Sequence, residues 1–205
     1  MQEDEFGRAY ARSQIERQQN RFRKLIKSFY VARILHHVDG PTIDLGCGAG
    51  QILERLPTGS LGIEVNPYLL EYLTQRGLRV IPAVESQGGL NLGKLHPNEF
   101  GTLVLSHVLE HFDNADQVLR RLLHDCAELG ISTVIIVVPG KVGFRSDPTH
   151  KTFVDMDYLW SHEMTICEGF QISHYSYFPG NLRLIGELFV YSELMVVYRN
   201  IYQSK

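Results

Sequence analysis

Cysteine is scarce: Cys47, Cys126 and Cys167 are the only three in 205 residues, and none lies in C-x-x-C spacing. An odd number without that spacing excludes a disulfide framework and a cysteine zinc site as organising devices. No uninterrupted apolar run approaches the roughly 20 residues of a membrane helix, so no spanning helix and no membrane partner are expected. The opening Met1-Gln2-Glu3-Asp4-Glu5 is acidic and leads into no apolar segment. It does not read as a secretory leader, and a cytoplasmic location is expected. Repeats and low-complexity tracts are missing. So is a cationic excess: the net charge is −3, which counts against a large nucleic-acid surface.

What is present suits one ordinary domain, with 44% apolar and 21% charged residues. The charge is uneven. Residues 1–38 hold eight Lys or Arg against four acids, +4, leaving −7 for the rest. This predicts an N-terminal helical arm, 1–38, either a lid facing an anion or a solvated helix face, ahead of a domain over 39–205.

Along the arm, Phe22, Leu25, Ile26, Phe29, Tyr30 and Ile34 recur at three- and four-residue intervals, predicting one or two helices over about 4–37. Strands are then predicted at 42–45, 61–64, 79–82, 102–106 and 132–138. Helices are predicted at 51–56, 67–76 and 116–129, with a Gly- and Asn-rich loop over 87–98. The last third changes: 156–167 looks helical, while 170–178 and 194–198 read as strands about a turn at Pro179-Gly180-Asn181. Strands alternating with helices imply βαβ units and a doubly wound α/β sheet.

The sharpest motif is Thr42-Ile43-Asp44-Leu45-Gly46-Cys47-Gly48-Ala49-Gly50, followed eighteen residues after Gly46 by Glu64. An apolar strand breaking into three glycines spaced by two is a tight turn that lets backbone approach a ligand. A carboxylate at the end of the next strand is acceptor-only and suits a ribose diol. Dinucleotide folds use G-x-G-x-x-G and aim a helix at a pyrophosphate. Here the spacing is G-x-G-x-G, and Asp44 would repel a diphosphate but attract an ammonium and a sulfonium.

In these residues the chain resembles the class I S-adenosylmethionine-dependent methyltransferases of the small-molecule, type 11-like kind. The resemblance implies a Rossmann-like, mostly parallel seven-stranded sheet closed by a C-terminal antiparallel hairpin. It implies S-adenosylmethionine as cofactor, with Asp44, Gly46, Cys47, Gly48 and Gly50 at its methionine half and Glu64 at its ribose. Val65, Asn66 and Glu85 would border that pocket, with Ser106 and His107 at the end of the fourth strand. The expected reaction is methyl transfer to an oxygen, or a nitrogen, of a small-molecule or saccharide-like acceptor.

Two further segments follow strands and therefore face the ligand edge. Ser106-His107-Val108-Leu109-Glu110-His111-Phe112 matches the H-x-x-E-H of inverted zinc peptidases, but it caps a strand instead of lying in a long helix. The long loop over 139–153 mixes basic, acidic and aromatic residues. His150, with His111 second, is the candidate general base, since an imidazole titrates near neutral pH unshifted. Lys141, Arg145 and Asp147 are candidate acceptor contacts. A metal is not the favoured reading. The alternative is a metal-assisted RNA methyltransferase, in partial likeness to small-RNA 3′-end enzymes, with His107, Glu110, His111 and His150 as ligands. His107 stands where those enzymes have an acid, and so histidine-rich a set suits zinc, manganese or iron better than magnesium. A non-catalytic cofactor-binding partner protein is the other alternative.

Overall fold

Strand β7 (Thr133–Pro139) is buried at all seven positions, as a strand covered on both faces must be. The computed structural model describes residues 7–19, 30–83, 85–86, 89–90, 92, 95–178 and 192–203. Strands β1 (Thr42–Leu45), β2 (Leu61–Glu64), β3 (Val80–Pro82), β6 (Thr102–Ser106) and β7 run parallel. Strand β10 (Glu193–Asn200) is antiparallel to β7 on one side and to β9 (Phe170–Phe178) on the other. With the short β8 (Ile166–Cys167) at the edge, the sheet order is β3-β2-β1-β6-β7-β10-β9-β8. The register shifts between Val197 and Tyr198, a bulge that leaves Ser173 without a register partner. This is the doubly wound, mostly parallel sheet with a closing antiparallel hairpin.

The order reverses at β1, with β2 on one side and β6 on the other. Such a reversal is where doubly wound sheets take their ligands, at the carboxyl ends of the strands. The helices pack as their periodicity dictates. In α4 (Ala115–Glu128), Val118, Leu119, Leu122, Leu123 and Cys126 are buried against one sheet face. Residues 30–37 are helical (α2) and pack Tyr30, Val31 and Ile34 on the other. In α3 (Pro67–Gln75), Asn66 caps the helix by accepting from the Tyr68 and Leu69 N–H groups, and Pro67 stands in the first turn. Helix α1 (Arg8–Gln19) seats Ala11 against Ala49 and Leu69. The candidate helical residues Phe22, Leu25, Ile26 and Phe29, and the turn Pro179-Gly180-Asn181, lie outside the described residues.

Three local expectations are corrected. Residues 51–56 form turns and a 3-10 segment, Leu53–Arg55, not an α-helix. Pro57 holds Leu56 extended at φ −73°, ψ 157°, which ends the turn that begins after Gly50 (φ +86°). Helix α6 is only Met156–Ser161, because Glu163 takes φ +57° and turns the chain. Strand β8 follows and pairs with β9 through Glu168 (φ +51°) and Gly169 (φ +78°). Two successive positive φ values make a hairpin turn of the primed type, which adds an eighth strand at the edge. The glycine-rich loop carries a minimal ladder, β4 (Glu85–Ser86) with β5 (Gly89–Leu90).

Candidate functional site

All three glycines after β1 have positive φ: Gly46 +74°, Gly48 +54° and Gly50 +86°. Their surroundings differ. A Cβ on Gly46 would come within 2.6 Å of Val108 Cγ2, and one on Gly50 within 2.5 Å of Leu73 Cδ2, so these two let the loop pack on its neighbours. A Cβ on Gly48 would meet nothing within 4 Å. Gly48 faces open space, where a ligand can lie against bare backbone.

Asp44, on β1 behind this loop, is buried, and its Oδ2 has no hydrogen-bond partner. Burial, reinforced by the charge of Glu64 and opposed by the Leu53 N–H, raises its pKa from 3.8 to about 7. A buried carboxylate oxygen without a donor is costly unless something cationic or donating completes it. Glu64 already receives three donors: Gly48 N–H to Oε2 at 2.8 Å, and the Val65 and Asn66 N–H groups to Oε1, each at 2.9 Å. It ties the glycine loop to the turn after β2, with one acceptor direction still free for a hydroxyl. Val65 is 43% exposed beside it, an apolar side chain at the carboxyl end of β2. Asn66 is spent on the α3 cap, and Cys47 is a buried thiol pushed upward by desolvation. Glu85 lies on β4; its side chain is outside the described residues.

At the end of β6, the Ser106 hydroxyl meets the buried Tyr30 hydroxyl at 3.2 Å. His107 follows at φ +57°, uncommon for a residue with a Cβ. Its Nδ1 is 3.1 Å from Glu110 Oε1 and its Nε2 3.1 Å from Glu193 Oε1. Desolvation works against the charged ring, but the two carboxylates outweigh it and lift the pKa to about 10. Glu110 and His111 sit in a 3-10 turn, Leu109–His111, not in the long helix of a peptidase.

The loop after β7 begins with α5 (Lys141–Arg145), which places Lys141 and Arg145 at the surface. The main chain then returns: the Lys151 and Thr152 N–H groups donate to the Glu110 carbonyl at 2.7 and 3.2 Å. That stitching brings His150 to His111, with ring centroids 5.0 Å apart, and His150 Nε2 to 3.9 Å from Glu110 Oε1. Asp147 accepts from the Thr149 N–H at 3.0 Å and from its hydroxyl at 2.7 Å, and the same hydroxyl lies 3.1 Å from His111 Nδ1. These bonds hold the Asp147 carboxyl below the usual range against its own desolvation. Asp147 thus shapes the loop and steadies His111.

Residues 43–127 match the family described as methyltransferase domain. Over those residues the chain is similar to methyltransferase domains. It is 27% identical over 146 residues to a lysine N-methyltransferase of Mus musculus named for an ATP synthase subunit, covering 68% of this chain and 55% of that protein. The chain therefore spans about half the length of this relative. A SAM-dependent methyltransferase from Archaeoglobus fulgidus superposes with a TM-score of 0.64 at 20% identity, over 86% of this chain and 93% of the other. Magnesium protoporphyrin IX methyltransferase from Synechocystis, solved with bound SAH, gives 0.61 at 14% identity over 94% and 95%. Likeness at those identities concerns the fold.

In the structure the sequence-predicted residues divide into two groups. Asp44, the glycines, Glu64 and Val65 gather at β1 and β2; His107, Glu110, His111 and His150 gather beyond β6 and β7. Sequence reasoning missed Glu193, Thr149, Phe144 and Tyr30 as members of the site. Glu193 carried no local signal, because it is brought in by the antiparallel β10. For Thr149 a signal existed: two residues after Asp147, it has Asx-turn spacing.

Proposed function

We propose that the chain transfers a methyl group from S-adenosylmethionine to an oxygen, or secondarily a nitrogen, of a small-molecule or saccharide-like acceptor. The unpartnered Oδ2 of buried Asp44, two residues ahead of a glycine turn open at Gly48, carries this reading. It suits the ammonium of the cofactor's methionine half, as the free acceptor direction of Glu64 suits the ribose. The cofactor, when bound, supplies a methyl already activated on a sulfonium, so the protein's work is alignment and proton removal.

The proton would go to a histidine. His150 Nδ1 lies 2.9 Å from the Phe144 carbonyl, which only accepts, so Nδ1 keeps the proton and Nε2 offers a lone pair. The Glu110 carboxylate at 3.9 Å would stabilise the charge His150 gains. His111 is held in the same sense by Thr149 and is the second candidate. Lys141 and Arg145, on the exposed rim, are positioned to meet an anionic acceptor. Nitrogen as the acceptor atom is favoured by the mouse relative, named for lysine N-methylation. Within the arm at 1–38, helix α1 is read as a cover over the domain at 39–205, while 30–37 packs into its core.

The test is calorimetric titration of the purified protein with S-adenosylmethionine and S-adenosylhomocysteine. Wild type should bind both saturably, and Asp44→Asn, which keeps shape but loses charge, should bind at least tenfold more weakly. No saturable binding by wild type would end the methyltransferase reading. Binding with no turnover on an acceptor panel of alcohols, saccharides and lysine peptides would leave a cofactor-binding partner protein.

A further inference from the structure

Glu110, His111 and His150 belong to two segments, the turn after β6 and the loop after β7. Among the described residues they form the one group of three metal-type donors, each offering a ligand atom within 4.8 Å of the others. Ligands about 2.1 Å from one ion lie roughly 3.4 Å apart in tetrahedral geometry, so side-chain shifts of about 1 Å would close the set.

Three observations set this cluster apart from a chance gathering of polar residues. First, Glu110 is fully buried and its Oε2 has no hydrogen-bond partner, a state that costs free energy until a cation or donor arrives. Second, both imidazoles are held through Nδ1. His150 Nδ1 donates to the Phe144 carbonyl at 2.9 Å. His111 Nδ1 donates to Thr149 Oγ1 at 3.1 Å, whose own proton goes to Asp147 at 2.7 Å. Each Nε2 is left with a lone pair; a carbonyl behind the second nitrogen, as at His150, orients ligating histidines, and at His111 a hydroxyl relays to the Asp147 carboxylate in that place. Third, the backbone clamp of the Glu110 carbonyl by Lys151 and Thr152 fixes the two segments together.

We propose that Glu110, His111 and His150 bind a divalent transition-metal ion through one carboxylate and two imidazoles, leaving coordination positions open to the acceptor. His107 is not a ligand, since both its nitrogens are engaged by Glu110 and Glu193. Its place is behind Glu110, holding Oε1. Two nitrogens and one oxygen suit manganese, iron, cobalt or zinc, whereas magnesium and calcium want oxygens. An acceptor hydroxyl on such an ion would lose its proton more readily; only this last use rests on the methyltransferase reading. Without metal, the same lone pairs are those of the general bases.

The experiment uses the untagged, chelator-stripped 205-residue chain titrated with Co²⁺, Mn²⁺, Zn²⁺ and Mg²⁺ by calorimetry, with the visible spectrum of the Co²⁺ form. One equivalent of Co²⁺, Mn²⁺ or Zn²⁺ should bind at micromolar or lower concentration, and Mg²⁺ at least 100-fold more weakly. His111→Ala and His150→Ala should each weaken binding at least 30-fold. Thr149→Val should weaken it about 10-fold, the usual size of an outer-sphere effect. His107→Gln should keep one-to-one stoichiometry. Absence of saturable binding to wild type, or binding unchanged in both histidine variants, overturns the site. S-adenosylmethionine titrated separately tells the two failures apart. Cofactor binding without metal binding removes the metal site alone, and metal binding without cofactor binding removes the methyltransferase reading alone.

Discussion

Gly48 and Asp44 make opposite demands on a ligand and can be tested apart. At Gly48, alanine would have open space but φ +54°, so Gly48→Ala should cost only about 1–2 kcal/mol of stability through backbone strain. If the cofactor lies against this backbone, its affinity should fall at least tenfold in the still-folded variant; unchanged affinity would put the ligand elsewhere. Asp44 makes a prediction in pH. Its folded pKa is raised from 3.8 to about 7, so the folded protein keeps a proton that the unfolded chain releases. The corresponding stability is present below pH 3.8, falls as pH rises to about 7, and is level above. Urea titrations from pH 4 to 8 should show that decline in wild type and its loss in Asp44→Asn; an equal decline in both would assign it to another group. Because an ammonium favours the ionised acid, cofactor binding at pH 6 should release a proton. Binding enthalpies in buffers of different ionisation heat would measure it.

Helix α1 rests on the glycine loop and the start of α3 rather than on the histidine cluster. Ala11 is buried against Ala49 and Leu69, Asn66 Nδ2 donates to the Gly7 carbonyl at 3.4 Å, and the Arg8 guanidinium sits 4.9 Å from the Tyr68 ring. So placed, the helix would cover the cofactor more directly than the acceptor. Ala11→Arg cannot be buried there and should release α1. The expected outcome is faster proteolysis within 8–19 and cofactor affinity reduced at least fivefold. Rapid cleavage with unaltered affinity would mean that α1 is no cover. The loop after β7 is ordered differently, by Asp147 and by the Glu110 carbonyl, which is why its histidine has a defined place on a segment without regular structure.

Taken whole, the fold is held by the apolar faces of one sheet. Ile136, in the middle of β7, is fully buried in the larger core cluster. Ile136→Ala should cost about 2–5 kcal/mol, seen as a lower urea midpoint with an unchanged slope. Salt dependence separates the acceptor classes. With −3 over 205 residues, methylation of a neutral small acceptor should change little between 50 and 200 mM salt. Nucleic acid held by several phosphate contacts should lose about 10³-fold or more over that range. A loss of that size would favour the RNA alternative.

The parallel sheet and the turn after its first strand are legible in the chain alone, because periodicity and glycine spacing act over a few residues. The run Thr42–Gly50, the acid at Glu64 and the apolar strand β7 needed no partner to be read. Residues 51–56 and 162–167 were misread because a proline's effect on the residue before it and a positive φ at Glu163 override helical patterning. The geometry of the histidine cluster, and the part Glu193 takes in it, come from the folded chain. His111 and His150 are 39 positions apart, and Glu193 is farther still. Backbone bonds at Glu110 and the antiparallel return of β10 bring them together, and such long-range closure leaves no periodic trace in the chain. The role of His107 was decided in the same way. In sequence it is one of four possible ligands; in space two carboxylates, one from the end of the chain, take both its nitrogens.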